Sequence, residues 1–180
     1  MLDGPSLVNH SCDFLSLYAL VVVYGTHLPG SLLLLPLTAS GFLASLVIPH
    51  EVSHTVLATF YRKIIPRWAD EGFASHVETQ AVRSKLIKSL TRSLAANRGI
   101  AFGPMFSMKD YPSDILPLYA QGYTLTTMLI EAKDEKHFLE FLGAGIDSQD
   151  WPQSVKTYYG YESLEEMEQV WKQRVNAGGF

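Results

Sequence analysis

Residues 48–78, IPHEVSHTVLATFYRKIIPRWADEGFASHVE, decide the fold because two helical patterns meet there across a proline. Apolar residues recur at helical spacing after Pro49, which suits a first helical turn, so the sequence predicts a helix over residues 49–62. Pro66 disfavours helix at the residue before it, and a second helix is predicted from about residue 68 to past residue 78. Two helices joined by so short a turn must lie against each other.

Three side chains of this helix pair have the chemistry and spacing of a metal site. His50 and His54 are four residues apart, so on a helix their imidazoles leave the same face and can bind one ion. Glu51 lies beside them, where the H-E-x-x-H pattern places a carboxylate that takes a proton from a zinc-activated water. A catalytic zinc requires a third protein ligand, and Glu71 on the second helix is brought alongside by the hairpin. The sequence therefore predicts a His2Glu zinc site with Glu51 as general base.

The segments HEVSH, residues 50–54, and PRWADEGFA, residues 66–74, resemble the gluzincin zinc metallopeptidases, most closely their peptidase MA-like domains. The resemblance is strongest over residues 48–78 and diffuse over the helical remainder. It implies Zn²⁺ as cofactor, with zinc ligands His50, His54 and Glu71 and general base Glu51. It also implies a peptide or protein substrate and favours a bacterial envelope or secreted setting. The G-x-M-E-N segment by which aminopeptidases of this group bind a substrate amino group has no counterpart before the motif, which favours an endopeptidase.

Five further residues near the motif have candidate roles. Asp70 is predicted to accept the second N–H of a metal-bound imidazole. Tyr119 and Tyr123 are candidates to stabilise an oxyanion, and packing of their rings in the core is the alternative for each. Trp68 is predicted to anchor the second helix in the core. Gly72 either allows a close helix approach near the metal or is merely tolerated.

The N-terminal segment, residues 1–48, is mostly apolar, and residues 14–48 contain no Lys, Arg, Asp or Glu. Residues 18–24, YALVVVY, predict a buried strand, whereas the next apolar run is compatible with strand or helix. Glycines and prolines leave no uninterrupted piece of the roughly 20 residues that a spanning helix needs. Membrane association through residues 14–48 nevertheless stays an alternative.

The bulk composition excludes several classes of function. A chain of 180 residues with 47% hydrophobic content can bury one core and fits one domain. The net charge of -4, with interspersed charges, gives no basic patch for nucleic acid. Cys12 is the single cysteine, so an internal disulfide and a cysteine-rich metal cluster are excluded. A metal would need His, Asp or Glu ligands.

The remainder of the chain predicts a helical subdomain over residues 80–180. The basic amphipathic segment 81–99 predicts a helix ended by its final glycine, and residues 100–114, with a glycine and two prolines, predict a loop. Four more helices are predicted over residues 115–133, 134–145, 151–160 and 163–175. The last begins with Ser163 and Glu166, which have the spacing of a capping box.

These patterns predict an α+β, mostly α, zincin-like fold in a single domain over residues 1–180. It comprises a short or truncated N-terminal β portion within residues 1–48, a zinc-site helix pair at 49–79 and a helical subdomain at 80–180. The leading hypothesis is a zinc-dependent metallopeptidase. One alternative is a weak or inactive peptide-binding protein with a structural metal. The other is a membrane-embedded metalloprotease, which the charged residues after the motif disfavour.

Overall fold

The computed structural model describes the backbone from Leu37 to Phe180 and the side chains from Ile48 to Phe180. Within residues 37–180 the chain forms eight α-helices and no strand. The helices are α1 Leu37–Tyr61, α2 Arg67–His76, α3 Gln80–Ala95, α4 Phe102–Phe106, α5 Ile115–Ala132, α6 Glu135–Ser148, α7 Trp151–Tyr159 and α8 Leu164–Asn176. The helical part of the predicted fold is therefore confirmed. The strand predicted at residues 18–24 lies outside the described residues.

The helix that carries both histidines, α1, is longer than the sequence predicts. It begins at Leu37 rather than at Pro49 and continues through the proline to Tyr61. A proline inside a helix removes one N–H donor, but its fixed φ is itself helical, so the flanking turns can continue. Ser53 Oγ donates a hydrogen bond to the Pro49 carbonyl at 2.8 Å. Arg62, in the left-handed conformation with φ of 52°, ends the helix close to the predicted position.

The second helix of the pair, α2, begins where the sequence predicts and ends earlier. Pro66 precedes it in an extended conformation, with ψ of 135°. The helix ends at His76, so the prediction that it runs past Glu78 is wrong, and Glu78 lies in the turn before α3. Trp68 in its first turn is fully buried, which confirms its predicted place in the core.

Helices α2 and α5 pack closely because glycine faces glycine. A Cβ added to Gly72 would lie 2.4 Å from the Gly122 carbonyl oxygen, and a Cβ added to Gly122 would lie 2.5 Å from the Trp68 carbonyl oxygen. Side chains at either position would force the two helices apart, since such distances are far inside van der Waals contact. The close helix approach at Gly72 is therefore confirmed, and it fixes the neighbouring Glu71 relative to α5.

The described C-terminal part departs from prediction at the end of one helix and in one additional helix. Helix α3 ends at Ala95 rather than at Gly99, and the left-handed residue after it is Asn97, with φ of 54°. The predicted loop at residues 100–114 contains α4, because Phe102, Met105 and Phe106 are all buried and recur at helical spacing. The four predicted helices that follow are confirmed as α5 to α8.

The cap of α8 follows half of the predicted capping box. Ser163 Oγ accepts a hydrogen bond from the Glu166 backbone N–H at 3.2 Å. The Glu166 carboxylate accepts from the Glu162 backbone N–H at 2.6 Å, one residue before the predicted partner. Two N–H groups that the helix itself cannot satisfy still gain acceptors.

The core of the described part is aromatic and brings the C-terminal helices under the helix pair. The tilted rings of Trp68 and Phe106 have centroids 4.5 Å apart, and the ring centroids of Phe102 and Trp171 are 5.3 Å apart. The Trp171 indole N–H donates to Thr124 Oγ1 at 3.1 Å, so its one polar atom is satisfied. Through Trp68 this core holds α2 against α4.

The organisation into one domain stays a prediction, since residues 1–36 lie outside the description. Residues 40–180 cluster as one compact unit. Among the described helices, none combines the length and apolarity that a bilayer crossing requires. Membrane association through residues 14–48 stays a prediction.

Candidate metal centre

His50, His54 and Glu71 converge where α1 meets α2. One potential ligand atom from each lies within 4.8 Å of the other two. His50 Nε2 is 3.5 Å and His54 Nε2 is 3.7 Å from the same carboxylate atom, Glu71 Oε2. Ligand atoms at about 2.1 Å from a tetrahedral zinc lie roughly 3.4 Å apart, so the spacing fits such an ion. The three residues that the sequence nominates therefore form a group that could hold a metal ion.

The arrangement follows from local geometry. Four residues on a helix return a side chain to the same face, and the rings of His50 and His54 have centroids 4.8 Å apart. Glu71 is supplied by the middle of α2, and its Oε2 faces Nε2 of both imidazoles across the short connection that contains Pro66. The close contact between Gly72, the residue after Glu71, and Gly122 on α5 holds α2 against α5.

The buried carboxylate of Glu71 has one satisfied and one unsatisfied oxygen. Its side chain is 2% exposed. Oε1 accepts a hydrogen bond from the Tyr111 hydroxyl, whereas Oε2 is buried and has no hydrogen-bond partner within the described part of the chain. An unpaired buried carboxylate oxygen is costly, and a cation in front of it would remove that cost. The donor set thus fits a zinc ion on grounds independent of the motif.

Carboxylates also face the other nitrogen of each imidazole. His54 Nδ1 lies 2.7 Å from Asp70 Oδ1, and His50 Nδ1 lies 2.8 Å from Glu78 Oε1. The hydrogen bond between His54 Nδ1 and Asp70 favours the tautomer that leaves His54 Nε2 free to bind a metal, whereas His50 Nδ1 makes no hydrogen bond within the described residues despite its short distance to Glu78. The sequence analysis nominated Asp70 and missed Glu78. Helical spacing could not indicate it, because Glu78 lies in the turn after α2 rather than on the helix.

Tyrosines from the α4–α5 connection and from α5 line the Glu71 side of the centre. Tyr111 donates to Glu71, and its ring stacks on Tyr119 with centroids 6.4 Å apart. Burial first and the Glu71 charge second raise the pKa of both tyrosines, so both stay neutral O–H donors at ordinary pH. The predicted candidate Tyr119 is therefore near the centre. Tyr123 is buried, at 6% exposure, and Tyr111 was missed because it stands in a segment without periodicity.

Glu51 does not belong to the converging group. It follows His50 directly on α1 and is half-buried. The imidazoles of His50 and His54 are 15% and 24% exposed, so the centre is accessible from their side and closed behind Glu71. Such a centre combines three ligands with a side from which a small molecule can approach.

The carboxylates hold protons on the imidazoles while no metal competes. Burial lowers the pKa of His50, but contacts with Glu71 and Glu78 outweigh it and raise that pKa to about 10. Burial also lowers the pKa of His54, but the contact with Asp70 outweighs burial. The pKa of His54 is therefore raised as well. The pKa of Glu71 is lowered, because the two histidines and Tyr111 outweigh its burial. Metal binding requires neutral imidazoles and must release these protons.

Comparison of the chain with protein-family models, curated proteins and solved structures found no match in any of the three. The gluzincin resemblance stays a prediction from residues 50–54 and 66–74. What the structure adds is the spatial group of His50, His54 and Glu71, which could hold a metal ion.

Proposed function

We propose that this protein is a zinc-dependent hydrolase of peptide bonds, acting as an endopeptidase. The observation that carries the proposal is the convergence of His50 Nε2, His54 Nε2 and the unpaired Glu71 Oε2 on one point. Three protein ligands with an accessible side are typical of catalytic zinc, whereas structural zinc sites are closed by four protein ligands.

Each nearby side chain has a proposed task. Zinc in this group would supply a water of lowered pKa and polarise the scissile carbonyl. With that ion bound, Glu51, adjacent to His50, would accept a proton from the attacking water and deliver it to the departing amine. Tyr119 is a neutral donor beside Glu71 and can stabilise negative charge developing on the carbonyl oxygen, whereas the single O–H of Tyr111 is donated to Glu71. Asp70 holds His54 in the orientation that ligation requires.

The test distinguishes the loss of the general base from the loss of a zinc ligand. Glu51→Gln keeps the side-chain size but removes the base, so hydrolysis of a fluorescently labelled casein should fall by roughly 100-fold or more. Zinc content, measured by elemental analysis, should not change. Glu140→Gln is the matched control, since Glu140 is exposed on α6 and, among the residues that the structure describes, pairs only with Lys136.

Three outcomes would count against the proposal. Undiminished hydrolysis by Glu51→Gln would remove Glu51 as the base. Loss of zinc in that variant would assign Glu51 to the metal instead. Wild-type protein that contains zinc and binds casein without cleaving it would support the peptide-binding alternative with a structural metal.

A further inference from the structure

Arg67 lies outside the converging group but contacts two of the residues that support it, Asp70 and Tyr111. It is the first residue of α2, and its side chain is 18% exposed. Its backbone N–H donates to the Met108 carbonyl at 3.0 Å, and its Nε donates to the Lys109 carbonyl at 3.0 Å. Two hydrogen bonds thus tie the start of α2 to the connection between α4 and α5. That connection carries Tyr111.

The guanidinium of Arg67 reaches the supports of two different metal ligands. Nη1 donates to Asp70 Oδ2 at 3.3 Å, and the other oxygen of that carboxylate faces His54 Nδ1. The guanidinium carbon lies 4.5 Å from the centroid of the Tyr111 ring, and the Tyr111 hydroxyl donates to Glu71. One chain of contacts runs from Arg67 through Asp70 to His54, and the other runs through Tyr111 to Glu71.

Only an arginine can make this set of contacts. The guanidinium is planar, offers five N–H donors in fixed directions and stacks on an aromatic ring, whereas a lysine ammonium is a point charge on a flexible stem. Lysine at this position would retain the positive charge near Asp70. It would lose the defined stacking on Tyr111 and the hydrogen bond from Nε to the Lys109 carbonyl.

We propose that Arg67 is a positioning residue of the metal centre, which aligns His54 and Glu71 together through Asp70 and Tyr111. The inference rests on the metal site of the proposed function and adds a residue that the H-E-x-x-H motif does not contain. Arg67 contacts neither the ion nor a substrate. Its effect is on metal affinity and ligand geometry, because partners that orient ligands typically change metal affinity by about 10- to 100-fold.

The test compares Arg67→Lys with Arg98→Lys. Arg98 pairs at 2.8 Å with Asp114, which lies at the end of the α4–α5 connection, and both of these side chains are exposed. The dissociation constant for Zn²⁺, from chelator competition, should rise roughly 10- to 100-fold in Arg67→Lys and stay unchanged in Arg98→Lys. The visible absorption of the Co²⁺-substituted protein should also change in Arg67→Lys, since it reports ligand geometry rather than stability.

A second experiment asks whether Arg67 acts through its two partners. In an Asp70→Asn/Tyr111→Phe background, Arg67→Lys should weaken Zn²⁺ binding little further, because the hydroxyl that reaches Glu71 and the carboxylate charge beside His54 are already removed. An equal further loss in that background would overturn the proposal. So would wild-type Zn²⁺ affinity and Co²⁺ spectrum in Arg67→Lys with only a lowered unfolding midpoint, which would make Arg67 a structural residue.

Failure of this inference is distinguishable from failure of the proposed function. Zinc bound normally by wild type and by Arg67→Lys removes the inference alone. Zinc bound by neither protein removes both. Zinc bound with the predicted Arg67 dependence, together with hydrolysis that survives Glu51→Gln, keeps the inference and removes the assigned base.

Discussion

Replacing Gly72 with alanine should damage both folding and metal binding through a single steric clash. The new Cβ would lie 2.4 Å from the Gly122 carbonyl oxygen and 2.4 Å from Thr126 Oγ1, whereas real Cβ atoms essentially never approach closer than 3.0 Å. Helices α2 and α5 must therefore separate there by at least about 0.6 Å. Overpacking of this kind costs about 1–3 kcal/mol, and a backbone obstacle places the cost at the upper end of that range.

The same movement displaces a metal ligand, because Glu71 is the preceding residue on α2. Protein–zinc distances tolerate only about 0.2 Å, so a shift of this size should weaken Zn²⁺ binding by at least about tenfold. Urea unfolding in the presence of a chelator measures the first effect, and chelator competition at constant pH measures the second.

Gly103→Ala is the matched control. Gly103 also lies in a helix, and a Cβ added there meets no atom within 4 Å. The free energy of unfolding of the Gly103→Ala protein should be unchanged or slightly higher, since alanine lowers the conformational entropy of the unfolded chain. A Gly72→Ala protein as stable as the wild type, with wild-type Zn²⁺ affinity, would refute the claim that this helix contact sets the position of Glu71.

Three further predictions follow from other contacts of the described residues. The pKa of His50 is raised from its ordinary value of 6.5 to about 10 by Glu71 and Glu78, so the protonated ring should stabilise the metal-free fold. This stabilisation should be present in full below pH 6.5 and be lost as pH rises through about 10. Urea unfolding at several pH values should show the decline, and His50→Gln should flatten it. Glu78→Gln should weaken Zn²⁺ binding roughly tenfold by removing the carboxylate on His50 Nδ1, and an unchanged affinity would exclude that role. Ser163→Ala should lower the free energy of unfolding by about 1 kcal/mol in urea titration without changing zinc content, since the residue caps α8 far along the chain from the metal ligands.

The helix pair and its three converging side chains were predictable because the relevant information is local. His50 and His54 share a face because of the helical repeat. The break between the helices follows from the restriction that Pro66 places on the residue before it. The start of α1 was not predictable in the same way. The residues before Pro49 are uniformly apolar and show no helical period, so they do not indicate where the helix begins. A proline that suits a first turn can also lie inside a helix, as Pro49 does.

The residues that support the ligands could not be found from spacing. Tyr111 reaches Glu71 across 40 residues of chain, from a connection whose course depends on tertiary packing. Arg67 precedes the motif residue Trp68 directly, yet its importance depends on contacts with Asp70 and Tyr111 that exist only in the folded chain. The buried short helix α4 was hidden by the glycine and proline within it.

The most direct test of the metal centre is elemental analysis of the purified protein beside its Glu71→Ala variant, each supplied with the same limiting zinc. The structure predicts about one zinc ion per wild-type chain and little or none in the variant, because the carboxylate that completes the three-ligand set is gone. Circular dichroism would establish that both proteins are folded. A folded wild type without zinc, or a variant that retains it fully, would contradict the metal centre and the function built on it.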